Sequence, residues 1–110
     1  MNELPLEVSC AELKGRLDDG VELMLVDCRE PFEHEVVRLP DACLMPMGTI
    51  PSRVAELAAV EGPLVVYCHH GMRSAQTAAW LRENGVPQAQ SLAGGVDAWA
   101  TEIDPTLPRY

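Results

Sequence analysis

The sequence predicts an α/β fold with a central parallel sheet of about five strands and helices on both faces. Short apolar runs alternate along the chain with segments of helical periodicity, an order typical of parallel sheets joined by crossover helices. Hydrophobic residues make up 47% of the 110 residues, so the chain can bury one core. No internal repeat or linker divides the chain, and we expect a single domain over residues 1–110.

The first half of the chain predicts two helices and two strands. Ser9 and Glu12 are spaced as in a capping box, which predicts a helix at about 10–19. "ELMLVD" is nearly continuous in apolar residues and predicts a strand buried on both faces. "EPFEHEV" predicts a short helix with Pro31 near its first turn, and "ACLMPM" predicts a short strand that its proline ends.

The second half predicts further helices between two strands. A helical pattern runs from 49 to about 59 and ends at a Gly-Pro pair. "LVVYC" is the clearest strand of the chain and is followed by a helix over 74–83. "AQSLAGG" predicts a last strand with a glycine turn, "VDAWAT" a short helix and "DPTLPRY" an extended tail. We expect Trp80 and Trp99 to lie in the core.

Charge and hydropathy exclude several classes of function. The formal net charge is -9, which argues against a nucleic-acid partner because phosphates would be repelled. No apolar stretch approaches the ~20 residues of a membrane span. The first residues, "MNELPLEVS", lack the basic and apolar regions of a signal peptide. These features predict a cytoplasmic protein that binds neither nucleic acid nor membrane.

The cysteines predict neither disulfides nor a metal site. Their spacing contains no C-x-x-C pair and suits no zinc site, and a reducing compartment disfavours disulfides. We therefore expect no metal and no cofactor. Cys10, Cys28 and Cys43 are expected to be small buried residues. Cys68 has different surroundings.

The residues after Cys68 predict an anion-binding loop. Cys68 ends the clearest strand, and ligands of open parallel sheets bind beyond the carboxyl ends of the strands. The helix that follows presents unpaired N–H groups and a partial positive charge, which stabilise a thiolate. Gly71 lets the backbone turn its amides inward, and Arg73 adds a positive charge. The sequence thus predicts a site built for a sulfur anion or for an anion bound beside it.

Three stretches resemble the rhodanese homology domain in chain order, and the resemblance covers about residues 4–110. They are "VDCREPFEHE", "CHHGMRS" and "LAGGVDAW". The resemblance implies a sulfurtransferase that moves sulfane sulfur from thiosulfate or a protein persulfide to a thiol or cyanide acceptor, by way of a persulfide on Cys68. It also implies that the loop wraps the outer sulfur with its backbone; the loop residues are His69, His70, Gly71, Met72, Arg73 and Ser74.

A group of cell-cycle phosphatases shares this type of fold and also uses a Cys and an Arg in an anion loop. Their loop has one residue more between Cys and Arg than the four of this sequence. The shorter loop favours a sulfur atom over a tetrahedral phosphate, and no carboxylate stands next to Cys68 to protonate a leaving alcohol. His69 and His70 are expected at the pocket rim or in solvent; the alternative is that they help to keep the thiolate paired.

Two further positions carry alternatives. The resemblance gives Asp27 and Arg29 a structural role, in which charge-assisted hydrogen bonds tie neighbouring loops together. The alternative is that Arg29 lines the mouth of the active site and holds an anionic donor. Cys28 lies at the same strand end and is either a small buried residue or a second thiol that resolves a persulfide into a disulfide. In "VVRLPDAC", Arg38 and Asp41 replace the His and Gly usual in the family, and Asp41 can still occupy a turn.

The final stretch, "GGVDAWATEIDPTLPRY", resembles the rhodanese domains fused behind adenylating enzymes that serve ubiquitin-like sulfur carriers. The resemblance implies a cysteine desulfurase or such a carrier as a protein partner, besides small sulfur donors. It also supplies a second hypothesis. The protein would then be a sulfur relay or regulatory module without turnover of its own, which docks to an adenylating enzyme or a sulfur-carrier protein.

Overall fold

A five-stranded parallel sheet forms the centre of the structure, a computed structural model that describes residues 4–110. The strands are β1 (Glu7–Val8), β2 (Met24–Asp27), β3 (Cys43–Leu44), β4 (Leu64–Tyr67) and β5 (Ala89–Leu92). The helices are α1 (Cys10–Asp18), α2 (Pro31–Val36), α3 (Val54–Ala58), α4 (Met72–Glu83) and α5 (Gly95–Glu102), with a 3-10 helix over Met47–Arg53. Across the sheet the strand order is β1-β5-β4-β2-β3, which confirms the predicted α/β class.

Alternate residues of the central strands feed two cores, one on each face of the sheet. Val66 and Cys68 point to one face, which α3, α4 and the 3-10 helix cover. Val65 and Tyr67 point to the other face, which α1 and α5 cover. Since β4 is buried on both sides, its apolar run is continuous rather than alternating. In the described part of the chain, no helix combines the length and the hydrophobicity that crossing a membrane requires.

Several local predictions are confirmed. The Ser9 hydroxyl accepts a hydrogen bond from the Glu12 amide and caps α1. Pro31 is the first residue of α2. Asp41 has a φ of +61°, so the aspartate does occupy a left-handed turn. Trp99 is 4% exposed and lies in the core, as expected.

Other predictions were wrong or incomplete. The edge strand β1 was not predicted, because two residues give no periodicity. The helix expected over 49–59 is a 3-10 helix followed by the short α3, since Pro51 lacks the N–H that a continuous α-helix requires there. The helix α4 begins at Met72, two residues before the predicted start. Trp80 is 37% exposed and lines a groove instead of packing in the core.

Candidate active site

The sheet brings two cysteines to one edge. In the pairing of the parallel strands β2 and β4, Asp27 is opposite Tyr67. The next residues, Cys28 and Cys68, therefore leave the carboxyl ends of neighbouring strands at the same level, and the Cys28 amide donates to the Tyr67 carbonyl at 3.1 Å. This is the edge at which open parallel sheets bind their ligands.

Backbone amides converge on the sulfur of Cys68. The Gly71 amide donates to Sγ at 3.1 Å and the Ser74 amide at 3.3 Å. Gly71 immediately precedes α4 with a φ of +104°, a conformation that favours glycine and turns the loop back over the sulfur. Because both donors lie at the positive end of α4, the site stabilises negative charge on a sulfur atom.

The amino end of α5 supports the loop from below. The Val96 amide donates to the Cys68 carbonyl at 2.9 Å, and the Asp97 amide donates to the His69 carbonyl at 3.1 Å. A Cβ on Gly95 would clash with both of these carbonyl oxygens, so only glycine allows this approach. The glycine pair of "LAGG" is thereby placed against the loop.

A pair of buried serines lies behind the sulfur. The Ser74 hydroxyl is 3.4 Å from Cys68 Sγ and 2.7 Å from the hydroxyl of Ser91 on β5. Both serines are fully buried. Sequence reasoning missed Ser91, and only the alternation of side chains along "AQSL" signals that it faces inward.

Arg73 is held by a carboxylate that sequence reasoning also missed. Its two terminal nitrogens donate to the two carboxylate oxygens of Glu33, on α2, at 2.8 and 2.9 Å. The Tyr110 hydroxyl donates to the same carboxylate at 2.7 Å. The hydrogen bonds from Arg73 lower the pKa of Glu33 to about 2, so this buried carboxylate is ionised at neutral pH. Two features of the sequence pointed to this ion pair: Glu33 lies inside the helical motif, and the charge on Arg73 needed a partner.

Asp27 and Arg29 are completely buried beneath the loop rather than at its rim. The Arg29 side chain donates to both Asp27 oxygens, at 2.8 and 2.7 Å, and to the Tyr110 hydroxyl at 2.7 Å. Burial raises the pKa of Asp27, but hydrogen bonds from Arg29 and His34 outweigh it and leave the pKa below its ordinary value. This placement is consistent with the structural role that the resemblance implies, since neither side chain is exposed to the pocket.

The two histidines have different surroundings. The His69 ring stacks on the Tyr110 ring with centroids 3.9 Å apart and planes 9° from parallel. Burial lowers the pKa of His69, which favours the neutral form of the ring. His70 stacks on the outer side of His69 and is exposed, with Nδ1 3.8 Å from the Asp97 carboxylate. Met72, at the start of α4, is 76% exposed.

An open pocket of about 370 Å³ leads to Cys68, which is itself 1% exposed. It brings together Cys68, four of the predicted loop residues and one residue that was not predicted, Gln76. The lining residues are Cys68, His69, His70, Met72, Arg73 and Gln76. Gln76 is shared with an apolar groove of about 300 Å³ formed with Met47, Ile50, Pro51, Thr77 and Trp80. Gly71 and Ser74 lie beneath the pocket, against the sulfur.

The other cysteines lack comparable surroundings in the described part of the chain. Cys28 is buried, and burial together with its neighbour Cys68 raises its pKa to about 12. Burial raises the pKa of Cys10 to about 11, and its sulfur contacts the Ala93 carbonyl. Cys43 is half-buried on the edge strand β3. Cys68 alone among the four has two amides directed at its sulfur.

Comparison with known proteins finds relatives of one family. The family model described as rhodanese-like domain matches residues 9–102. A sulfurtransferase of Allochromatium vinosum is 38% identical over 94 residues, which cover 86% of this chain and 87% of that protein. The probable adenylyltransferase/sulfurtransferase MoeZ of Mycobacterium tuberculosis is 37% identical over 101 residues, which cover 90% of this chain. The match extends over 26% of MoeZ, so this chain corresponds to about a quarter of that relative.

Solved structures share the fold. A rhodanese-like domain protein from Staphylococcus aureus matches with a TM-score of 0.79 and 29% identity, covering 96% of this chain and 99% of that one. The human single-domain sulfurtransferase TSTD1 matches with a TM-score of 0.74 at 23% identity, covering 90% and 98% of the two chains, and shares the fold. The resemblance seen in three short stretches of sequence thus extends over most of the chain, and the protein belongs to the rhodanese-like domain family.

Proposed function

We propose that this protein is a sulfurtransferase in which Cys68 carries sulfur between donor and acceptor as a persulfide. The observation that carries the proposal is the convergence of the Gly71 and Ser74 amides on Cys68 Sγ, at the inner end of an open pocket. Two fixed donors at a helix end stabilise the sulfur anions that form in such a reaction without reorganising. The sulfurtransferase relative that matches over most of its own length supports the same reaction class.

The reaction has two steps and regenerates the thiolate. In the first step, the Cys68 thiolate attacks the sulfane sulfur of thiosulfate, the sulfur–sulfur bond of the donor breaks, and sulfite leaves with the bonding electron pair. In the second step, a nucleophile such as cyanide or a thiolate attacks the outer sulfur of the persulfide, and the Cys68 thiolate leaves. With cyanide the product is thiocyanate. Alternation of a free and a sulfur-loaded enzyme gives ping-pong kinetics.

The chain's own residues divide the work of this cycle. Gly71 and Ser74 hold the negative charge on sulfur. Since burial lowers the pKa of His69 and disfavours its charged form, the backbone amides and the helix end supply the positive potential at the sulfur. Arg73 is engaged with Glu33, so its first role is to fix the loop. The same engagement weighs against a phosphatase, which needs its loop arginine free for the phosphate.

A second candidate is a sulfur relay that works only when docked to a protein. The observation that favours it is the apolar groove beside the Cys68 pocket, which includes the half-exposed Trp80 and adjoins Gln76. The relation to MoeZ, whose name combines adenylyltransferase and sulfurtransferase, supports a sulfur-carrier protein as the acceptor. In this case the donor would be a protein persulfide, such as that of a cysteine desulfurase.

Intact-mass measurement distinguishes these candidates. We expect the wild type to gain one sulfur on incubation with thiosulfate, and to lose it on addition of cyanide. Cys68→Ser should gain none, while Cys43→Ser, a matched thiol substitution on the edge strand, should load like the wild type. Loading by a cysteine desulfurase with negligible thiosulfate turnover would favour the relay. A wild type that gains sulfur from neither donor, or a Cys68→Ser variant that still loads, would overturn the proposal.

A further inference from the structure

Tyr110 contacts both ends of the loop that surrounds Cys68. Its ring stacks on His69, the residue directly after the cysteine. Its hydroxyl donates to the Glu33 oxygen that also accepts from Arg73, the residue directly before Ser74. The Gly71 and Ser74 amides that donate to Cys68 Sγ therefore lie in a loop whose two ends are both held by the Tyr110 side chain.

The hydroxyl of Tyr110 also connects two ion pairs. It accepts a hydrogen bond from Arg29 at 2.7 Å and donates one to Glu33 at 2.7 Å. Arg29 is paired with Asp27 in the buried strand end, and Glu33 is paired with Arg73 in the loop. The Arg29 guanidinium also lies over the Tyr110 ring, with Cζ 5.6 Å from its centroid. The Tyr110 hydroxyl thus links the loop to the buried ion pair at the carboxyl end of β2.

We infer that Tyr110 is a positioning residue for the Cys68 loop, which it holds through His69 by stacking and through Glu33 and Arg73 by hydrogen bonding. The role in sulfur transfer rests on the function proposed above, whereas the role in holding the loop does not. Tyr110 itself does not touch Cys68 and acts only through these neighbours. The two routes are separable, because phenylalanine keeps the ring and loses the hydroxyl.

Amide hydrogen exchange tests the positioning directly and needs no sulfur chemistry. In Tyr110→Phe, the lost hydroxyl should speed exchange of the Gly71 and Ser74 amides about tenfold, the effect of one hydrogen bond to a charged group. Tyr110→Ala also loses the stack on His69 and should speed it by about a further threefold. In a Glu33→Gln background, Tyr110→Phe should change the exchange rates much less, since the hydrogen bonds through residue 33 are already weakened.

A stability control separates positioning from general destabilisation. Val86 is fully buried in the core and follows the end of α4, the opposite end from the one that faces Cys68. Val86→Ala should lower the melting temperature while leaving exchange at Gly71 and Ser74 as in the wild type, because loop amides exchange by local opening. If the Val86 variant speeds loop exchange as much as Tyr110→Ala does at equal stability, Tyr110 is only a structural residue and the inference is overturned.

Kinetics complete the test. If the wild type transfers sulfur, Tyr110→Ala should lower kcat by about tenfold or more with a smaller change in KM, because the amides act on charge that develops on sulfur. Unchanged exchange in Tyr110→Ala, or unchanged kcat in an active background, would overturn the inference. A wild type that transfers no sulfur would instead overturn the proposed function, and hydrogen exchange would still decide whether Tyr110 holds the loop.

Discussion

Glu33 and Arg73 are forty residues apart in the sequence and form a two-pronged ion pair, with Nη1 to Oε1 at 2.8 Å and Nη2 to Oε2 at 2.9 Å. The pair joins the helix after β2 to the loop after β4. The guanidinium matches the carboxylate in both geometry and charge, which is the strongest form of such a contact. The loop arginine is therefore fixed before any substrate arrives.

Arg73→Ala should lower both stability and activity. It leaves the buried Glu33 carboxylate with fewer donors, so the free energy of unfolding should fall by about 1–3 kcal/mol, and the freed loop should lose about tenfold or more in kcat/KM. Adding Glu33→Gln to Arg73→Ala removes the unpaired charge, and this double variant should regain stability without regaining activity. Urea unfolding and thiosulfate:cyanide assays measure the two effects. A large loss of stability with unchanged kcat/KM would show that the pair serves the fold alone.

The pH dependence of stability should report the same pair. In the folded protein the pKa of Glu33 is lowered from its ordinary 4.5 to about 2, chiefly by Arg73. A carboxylate with a lowered pKa stabilises the fold fully above its ordinary pKa, and this contribution is lost as the pH falls from about 4.5 towards 2. Urea midpoints measured across this range should therefore fall more steeply for the wild type than for Glu33→Gln. Equal slopes would contradict this interpretation.

Gly95→Ala should disrupt the support of the loop. A Cβ at this position meets the Cys68 and His69 carbonyl oxygens, and the φ of +61° disfavours any other residue. We expect a loss of about 3 kcal/mol or more in stability and a severe loss of activity. Gly15→Ala is the matched control, since nothing lies near its Cβ and alanine is the better helix former; it should stabilise the protein by about 0.5–1 kcal/mol. A stable and active Gly95→Ala variant would show that α5 can shift away from the loop without loss of function.

Cys28→Ala should leave the lifetime of a Cys68 persulfide unchanged. The two cysteines leave neighbouring strands at the same level, which makes a resolving role for Cys28 worth testing. Burial, however, raises the pKa of Cys28 to about 12, so its thiolate is scarce at neutral pH. Intact mass of the loaded protein over time checks this prediction. Release of sulfide with formation of a Cys28–Cys68 disulfide in the wild type, and not in the variant, would contradict it.

Features encoded by adjacent residues could be predicted from the sequence. Cys68, Gly71 and the start of the following helix lie within a few positions, and the cap at Ser9 and the turn at Asp41 are equally local. Local chemistry constrains such features before any packing is known. The class of the sheet could also be predicted, because the alternation of strands and helices requires crossovers.

Contacts between distant segments could not be predicted in this way. Arg73 was expected to add a positive charge to the anion loop, and its partner Glu33 was read only as part of a helical motif. Tyr110 was placed in an extended tail, yet it is 77 residues from the Glu33 that it binds. Trp80 was expected in the core, whereas the side of α4 that it occupies faces a groove. Each of these contacts depends on which helix or strand packs against another. The hydrophobic periodicity of a single segment does not encode that.

The strand order has a consequence for the conditions under which the protein should be renatured. β5 lies between β1 and β4, and Gln90 on β5 donates to the Pro5 carbonyl, 85 residues away. Contacts so distant in sequence form slowly. The Ser91 hydroxyl and the amides of α5, which close the site around Cys68, are in place once β5 pairs with β4, and β1 completes the sheet. Before that pairing the thiol is open to oxidants, so renaturation in the presence of a reductant should give a higher yield of protein with a free Cys68 thiol.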